Sequence, residues 1–391
     1  MLTVERVDNL EGLAALNRPW TQLLSRCSYR NLFLTHEWAG TWWAHFGKGK
    51  ELWLLLVRDG EELLGIAPMM LGWEWYGGLP VRMLGFLVNR HTSRADFIIA
   101  DGRKEEAIGA LVRYWQDHNR RWDVLRLVHV PKESGNVRVL EEAIGNSKLA
   151  GFPARVSRRI LTLPIEGTWE KYLGQQTHAF RKNLRQSAKR IRESQMTLVS
   201  ENDPSRVEQG LRSIFGIEAR SRKADFREKR MLVNDKEFYL SLGTMVRLFE
   251  WRSDLLVDSE GKTIAGCHAA FHERRCYGFL LYHDYSHSAI SPGRRLVADL
   301  LAECFRRGDV EEMDFNGNSA FIRSWTNHER VCEVLSACNR GLYSLLIAGL
   351  RRLNRNRTKQ PRRGSADGRT DHGRAAADST QATTETDEGA P

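Results

Sequence analysis

The chain has 391 residues, beyond the roughly 100–200 of a single domain, so two domains or one duplicated unit is expected. Its 41% hydrophobic and 28% charged residues form an ordinary globular mixture. No stretch approaches the roughly 18–20 apolar residues of a membrane span, and no basic segment followed by an apolar core opens the chain, which argues against spanning or secreted classes. A net charge of +10 suits an anionic ligand (a nucleotide cofactor, a phospho-sugar, RNA or an acidic membrane face) and selects none of them. The six cysteines, Cys27, Cys267, Cys276, Cys304, Cys332 and Cys338, form no CxxC pair and fit no zinc spacing. A reduced, cytoplasmic setting without a metal is expected.

In chain order, residues 52–57 read as an apolar strand, Asp59-Gly60 as a turn, and residues 61–68 as a second strand bearing Gly65, the pattern of a hairpin. Apolar runs at 83–88 and 97–100, a helix at 105–116 and a strand at 123–130 follow. About 200 residues later the order repeats. A strand at 254–257, a turn at Glu260-Gly261 and a strand bearing Gly266 precede a strand at 276–282, a helix at 292–306, Gly308 and a strand at 310–315. The ordered match predicts a duplication, with halves 1–155 and 156–354 and a monomeric pseudo-dimer. From 355 the composition turns to Arg, Gly, Ser, Ala, Thr and Asp without apolar periodicity, predicting a disordered tail over 355–391. Residues 341–350, followed by Arg351 and Arg352, are too short to span a membrane and suggest a terminal amphipathic helix packed on the domain.

Three segments carry candidate chemistry. Between 180 and 192, Phe180, Leu184, Ser187 and Ile191 share one helical face, and six of the other nine residues are basic with none acidic. Arg181, Lys182 and Arg185 are therefore candidates for a phosphate-bearing substrate, although a solvated face reads the same way. The second segment is Tyr282-His283-Asp284-Tyr285 followed by Ser291-Pro292-Gly293-Arg294-Arg295. Proline suits a helix's first turn, Ser291 stands at the N-cap, and free first-turn amides with a glycine and two arginines make an anion site for a cofactor phosphate. Two arginines there oppose the helix dipole, a conflict that bound phosphate would remove. The third segment, Asp314 to Trp325, is a polar loop at a strand end, with Asn316 and Trp325, like Tyr282, expected to contact substrate. His268, Asp284 and Asp314 are the candidate catalytic groups; a satisfied core histidine and a turn-capping aspartate are the bland alternatives.

Taken together, the residues 31–38 with Trp42, Trp43 and Phe46, then Gly65-Ile66-Ala67-Pro68, the 180–192 helix, 282–296, and Asp314-Phe315-x-Gly317 resemble the CelD-like acetyltransferase family. That family is a branch of the GNAT superfamily related to the FemAB aminoacyl transferases, and the resemblance spans residues 15–345 in order. It implies an α/β fold of tandem GNAT-like halves, each a twisted mixed sheet flanked by helices. It also implies acetyl-CoA or another acyl-CoA as donor (aminoacyl-tRNA by analogy) and a sugar or amine acceptor related to envelope or polysaccharide synthesis. Two departures stand out: Phe321 and Ile322 replace the family's Tyr-Lys pair, and the usual Arg/Gln-x-x-Gly-x-Gly/Ala phosphate signature is absent. They leave open a rival reading, a non-catalytic protein on the same fold binding RNA or an anionic glycan precursor.

Overall fold

Both glycine turns close hairpins, with Gly60 at φ 59° and Gly261 at φ 82°, backbone angles that only glycine adopts without strain. The computed structural model describes residues 2–349 except 77, 222–229, 246, 247, 340, 342, 345, 347 and 348. The expected tail and much of the 341–350 segment lie outside the described residues.

The first run of elements is β1 (Thr3–Val7), α1 (Leu10–Ala15), α2 (Asn17–Ser25), α3 (His36–Phe46), β2 (Glu51–Asp59), β3 (Glu62–Tyr76), β4 (Leu79–Phe86), β5 (Ile98–Ile99), α4 (Lys104–Asp117), β6 (Val124–Pro131), α5 (Asn136–Gly145) and β7 (Ala150–Pro164). After α6 (Trp169–Gln175) and α7 (His178–Glu193) the series recurs. It runs through β8 (Thr197–Glu201), α8 (Val207–Glu218), α9 (Val233–Gly243), β9 (Glu250–Val257), β10 (Thr263–His272), β11 (Arg275–His283), α10 (Pro292–Arg307), β12 (Glu312–Asp314), α11 (Ala320–Arg323) and β13 (Glu329–Cys338).

One mixed sheet joins both halves, in the order β1-β2-β3-β4-β6-β13-β7-β12-β11-β10-β9-β8, with β5 beside β3. From either edge inward the series is the same: four antiparallel strands, then a fifth parallel to the fourth. At the centre the halves exchange their last strands. β7, which ends the first series, pairs with β12, and β13, which ends the second, pairs with β6. The boundary expected between residues 155 and 156 therefore falls inside β7, a strand shared by both halves.

Helices cover both faces, which is why β2 and β10 are buried nearly end to end. On one face α1–α3 and α8–α9 share a core in which Trp38 packs against Phe238 and Phe279, with ring centroids 5.3 and 6.0 Å apart. The other face is covered by α4 and α5 in the first half and by α6, α7 and α10 in the second. All six cysteines are free and buried, as small apolar groups. No helix among the described residues is long and apolar enough to cross a membrane.

Candidate active site

In each half the fourth and fifth strands stay together for two or three residues and then part. β4 meets β6 only at Met83–Val124 and Leu84–Leu125, and β11 meets β12 only from Arg275–Glu312 to Tyr277–Asp314. In the first half the chain itself fills the gap. Ile98 and Ile99 pair with β3, and the Ala95 amide donates to the carbonyl of His129 on β6. In the second half β11 runs on past Tyr277 to His283, paired with β10 alone. Its ladder slips there: Leu280 faces His268 while Gly278 faces Ala269, so Phe279 is an extra, bulged residue. Bulges of this kind re-aim backbone groups and concentrate beside active sites.

The helices that follow the two gaps differ in the same sense. α4 carries Glu105 and Glu106 in its first turn, which already complement the helix dipole. α10 carries no acid there, but Arg294 and Arg295. Pro292 fixes its start, Leu296, Val297, Leu300, Leu301 and Cys304 bury one face, and Gly308 at φ 69° ends it.

Ser291 does not cap this helix. It adopts φ 54°, ψ 53°, whereas a capping side chain needs an extended backbone, and no side-chain bond to the first turn forms. The helix N-terminus therefore has no side-chain cap, and the Ser291 carbonyl accepts there from the Arg294 amide at 3.1 Å. Gly293 is buried, and a Cβ there would lie 3.7 Å from Leu281 and 3.9 Å from His283, so ordinary packing rather than a close approach surrounds it.

Of the two arginines, Arg295 is neutralised within the helix by Asp299 at 2.7 Å, so half of the expected dipole conflict is relieved internally. Arg294 is not. Its guanidinium lies 5.3 Å from the Phe180 ring and 5.8 Å from that of Trp325, and its Nη1 is buried with no hydrogen-bond partner. Burial lowers its pKa. A buried donor without an acceptor costs about 1–3 kcal/mol, a cost that an acceptor placed here would remove.

The basic helix stands beside it. Thr177 caps α7, and Phe180, Ser187 and Ile191 are its buried face. Ser187 Oγ donates to the carbonyls of Ile290 and Ser291 at 2.9 and 3.1 Å, and Arg190 donates to Ala289 at 2.7 Å. Arg181, Lys182 and Arg185 are exposed on the outer side of α7, within the helix whose Phe180 supports Arg294. Trp325 is buried, its carbonyl accepting from Tyr172 at 2.8 Å, and it forms the second aromatic wall against Arg294.

The expected catalytic groups are engaged elsewhere. His268 is 1% exposed and shares its face of β10 with Gly266, which packs on Ile214 of α8; α10 covers the opposite face. Its Nδ1 is 2.8 Å from Ser253 Oγ, its ring stacks on Trp251, and burial pushes its pKa down to about 3. Asp284 caps the 3₁₀ turn Tyr285–Ile290, accepting from Ser286 and pairing with Arg220 at 3.0 Å. Burial disfavours its charge, but Ser286 and Arg220 outweigh that and lower its pKa, leaving a poor base. Asp314 is 1% exposed, paired with the equally buried Arg94, and caps the Asn316 amide at 2.8 Å.

Two substrate candidates are also placed differently. Tyr282 is buried on the α8–α9 face, where burial pushes its hydroxyl up to about 12. Asn316, at φ 51°, is a brace: it donates to the Gly278 carbonyl at 3.1 Å and accepts from Ser93 at 2.7 Å. Sequence reasoning missed the bulge at Phe279 and the Ser93–Arg94 clasp. The former depends on strand register, and the latter joins residues more than 200 positions apart.

A cavity of about 320 Å³ lies away from this site. It adjoins His272, Arg307 and Asp309 at the other end of α10, about 24 Å along the helix.

Comparison with known proteins bears on this arrangement. Residues 178–321 match the family described as acetyltransferase (GNAT) domain. No curated protein sequence matches the chain. Among solved structures, FemX superposes with a TM-score of 0.57 over 85% of this chain and 98% of its own, at 12% identity. The C-terminal domain of a putative lysylphosphatidylglycerol synthetase from Agrobacterium fabrum gives 0.52 over 87% and 97%, at 12% identity. L-PGS from Bacillus licheniformis gives 0.50 over 85% and 96%, also at 12%. At such identities the likeness is one of fold. The parted strands and the uncapped α10 thus lie within the stretch that is similar to the acetyltransferase (GNAT) domain, set in a chain that builds the same sheet series twice.

Proposed function

We propose that the chain transfers an acyl group from acyl-CoA to an amine or hydroxyl acceptor, and that the donor's phosphates sit at the start of α10. One observation carries this reading: Arg294 Nη1 is buried and partnerless at an uncapped helix N-terminus. That is the electrostatic situation a phosphate resolves. Arg181, Lys182 and Arg185 add positive charge beside it and would contact the donor's outer phosphate or the acceptor.

A bound acyl-CoA supplies the acyl group as a thioester, and the chain's own residues do the rest. Beyond Tyr277, β11 has no strand on the β12 side, and the bulge at Phe279 turns its backbone at that edge. An amide there can donate to the thioester carbonyl and stabilise the oxyanion formed on attack. The new bond to acceptor nitrogen or oxygen forms as the carbon–sulfur bond breaks, and the acceptor's proton ends on the leaving sulfur or on water. With His268, Asp284 and Asp314 engaged in packing and caps, positioning rather than side-chain base catalysis dominates. The ordered motifs favour the CelD-like branch and a sugar- or envelope-related acceptor.

Calorimetry with acetyl-CoA tests the donor site. Arg294→Ala should weaken binding by about tenfold or more, as expected for a lost charge-assisted hydrogen bond. Arg295→Ala, whose side chain is held by Asp299, should change it little. Failure of the parent to bind at millimolar acetyl-CoA would sink the reading.

A further inference from the structure

Between β4 and β5 the chain makes a turn held by Asn89. Its side chain accepts from the His91 amide at 3.0 Å, and its carbonyl accepts from the Thr92 amide at 3.1 Å. The turn sets His91 against α9 of the second half. There the imidazole lies near Phe46 of α3 and Phe238 of α9, both ring centroids 5.9 Å away. Both of its nitrogens are engaged: Nε2 is 2.7 Å from Asp235 Oδ1, and Nδ1 is 3.2 Å from the Tyr239 hydroxyl. Burial opposes the charge of Asp235, but His91, the Leu232 amide at 2.7 Å and Arg90 outweigh it and bring its pKa down to about 2. An ionised acceptor fixes the tautomer of the neutral ring, so Nε2–H donates to Asp235 and Nδ1 accepts from the Tyr239 hydroxyl. Tyr239 is buried one helical turn after Asp235, and its ring meets Phe279 edge to face with centroids 6.0 Å apart.

We infer that His91 is a positioning residue for acyl transfer: oriented by Asp235, it holds Tyr239, which holds the Phe279 bulge where a backbone amide meets the thioester carbonyl. The inference rests on the acyl-CoA reading above. At Phe279 β11 has already left β12, so no ladder on that side sets where the bulge lies, and side chains must do so. Alternate residues of one first-half segment supply them. Ser93 bonds Asn316, which holds the Gly278 carbonyl, while His91 reaches the ring of the next residue, Phe279, through Tyr239. A cluster that only filled space would need no such chain. Burying an imidazole, a carboxylate and a phenol beside Trp38, Phe46 and Phe238 costs desolvation that an apolar set avoids. What a satisfied polar network adds is a single geometry.

The test is isotope-edited infrared spectroscopy of carbonyl-labelled acetyl-CoA bound to the full chain. A hydrogen bond to the thioester carbonyl lowers its stretching frequency, so the bound stretch should lie below that of free acetyl-CoA. His91→Leu and Tyr239→Phe should each return it most of the way to the free value. Donor affinity, read by calorimetry, should stay that of the parent, because the start of α10 is untouched. The control is His45→Leu, which removes a different bond between α3 and α9, to Ser241 at 2.9 Å beside the same Phe238 ring, and should leave the stretch lowered. Circular dichroism checks each fold; Tyr239→Phe removes one oxygen only and decides the matter if His91→Leu does not fold. The inference is overturned if folded His91→Leu and Tyr239→Phe keep the parent's lowered stretch. It is also overturned if His45→Leu loses the shift as they do, which would make the effect one of general packing. A parent that binds acetyl-CoA with an unshifted stretch overturns it and leaves the phosphate site standing. A parent that does not bind overturns both.

Discussion

Replacing Arg294 by Met should separate stability from ligand binding. The orphan guanidinium N–H costs the folded protein about 1–3 kcal/mol. The contacts with Phe180 and Trp325 return about 0.5–1 kcal/mol each. Methionine keeps an apolar stem between the two rings while removing both terms. The variant should therefore lie between about 1 kcal/mol less and about 2 kcal/mol more stable than the parent, far from the roughly 3–5 kcal/mol lost when a buried ion pair is broken. Thermal unfolding with and without acetyl-CoA is the assay. The parent should gain about 2.7 kcal/mol at a hundred times Kd. The variant should melt within a few degrees of the parent, since about 2–4 °C corresponds to 1 kcal/mol in a domain of 150–250 residues, and should lose the ligand-induced shift. A ligand-free loss beyond about 3 kcal/mol would show that Arg294 holds the fold together. A retained shift would show that the phosphates bind elsewhere.

Other consequences follow from the same geometry. Arg94→Ala should cost about 3–5 kcal/mol in urea unfolding by leaving Asp314 buried and unpaired, while Arg94→Met/Asp314→Leu should recover most of it. His129 and His268 are both held by burial at a pKa of about 3, against about 6.5 when unfolded. The unfolded state takes up their protons first, so this stability is complete above about pH 6.5 and is lost as pH falls toward 3. Each contributes a limiting slope of about 1.4 kcal/mol per pH unit. His268→Gln should halve the pair's contribution between pH 6.5 and 5, read by urea titration, and should leave the pH profile of transfer near neutrality unchanged. Arg181→Gln/Lys182→Gln/Arg185→Gln should leave the melting temperature unchanged but weaken acetyl-CoA binding by about three- to tenfold and flatten its salt dependence. Equal salt dependence in parent and variant would free the outer face of α7 from any role.

What was legible in the sequence was local. The two hairpins, α7 and α10 follow from apolar spacing, glycine turns and a proline start, which act within one element. The start of α10 proposed to hold a phosphate was legible for the same reason, although the positive φ of Ser291 and the Arg295–Asp299 pair leave that proposal resting mostly on Arg294. The exchange of β7 and β13 was not legible, because β13 finds its partner β6 some 200 residues earlier and nothing in either strand names the other. His268 shows the limit most plainly. Alternation along β10 groups it with Gly266 and Ala270, but only the packing of α8 and α10 on opposite faces reveals that this group points away from the site.

The first half's filled gap and the second half's open gap are parts of one arrangement. Residues 95–99 occupy the space between β3 and β6, so no ligand can enter there. The residues immediately before them, Ser93 and Arg94, are thereby held against the second half, with Arg94 paired to Asp314 and Ser93 bonded to Asn316. Asn316 in turn holds the Gly278 carbonyl, one residue from the bulge at Phe279. The segment that closes one gap thus braces the point at which the other opens. Opening the first gap by removing that segment would also remove a brace of the second, which is a physical reason why only one of the two gaps stands open.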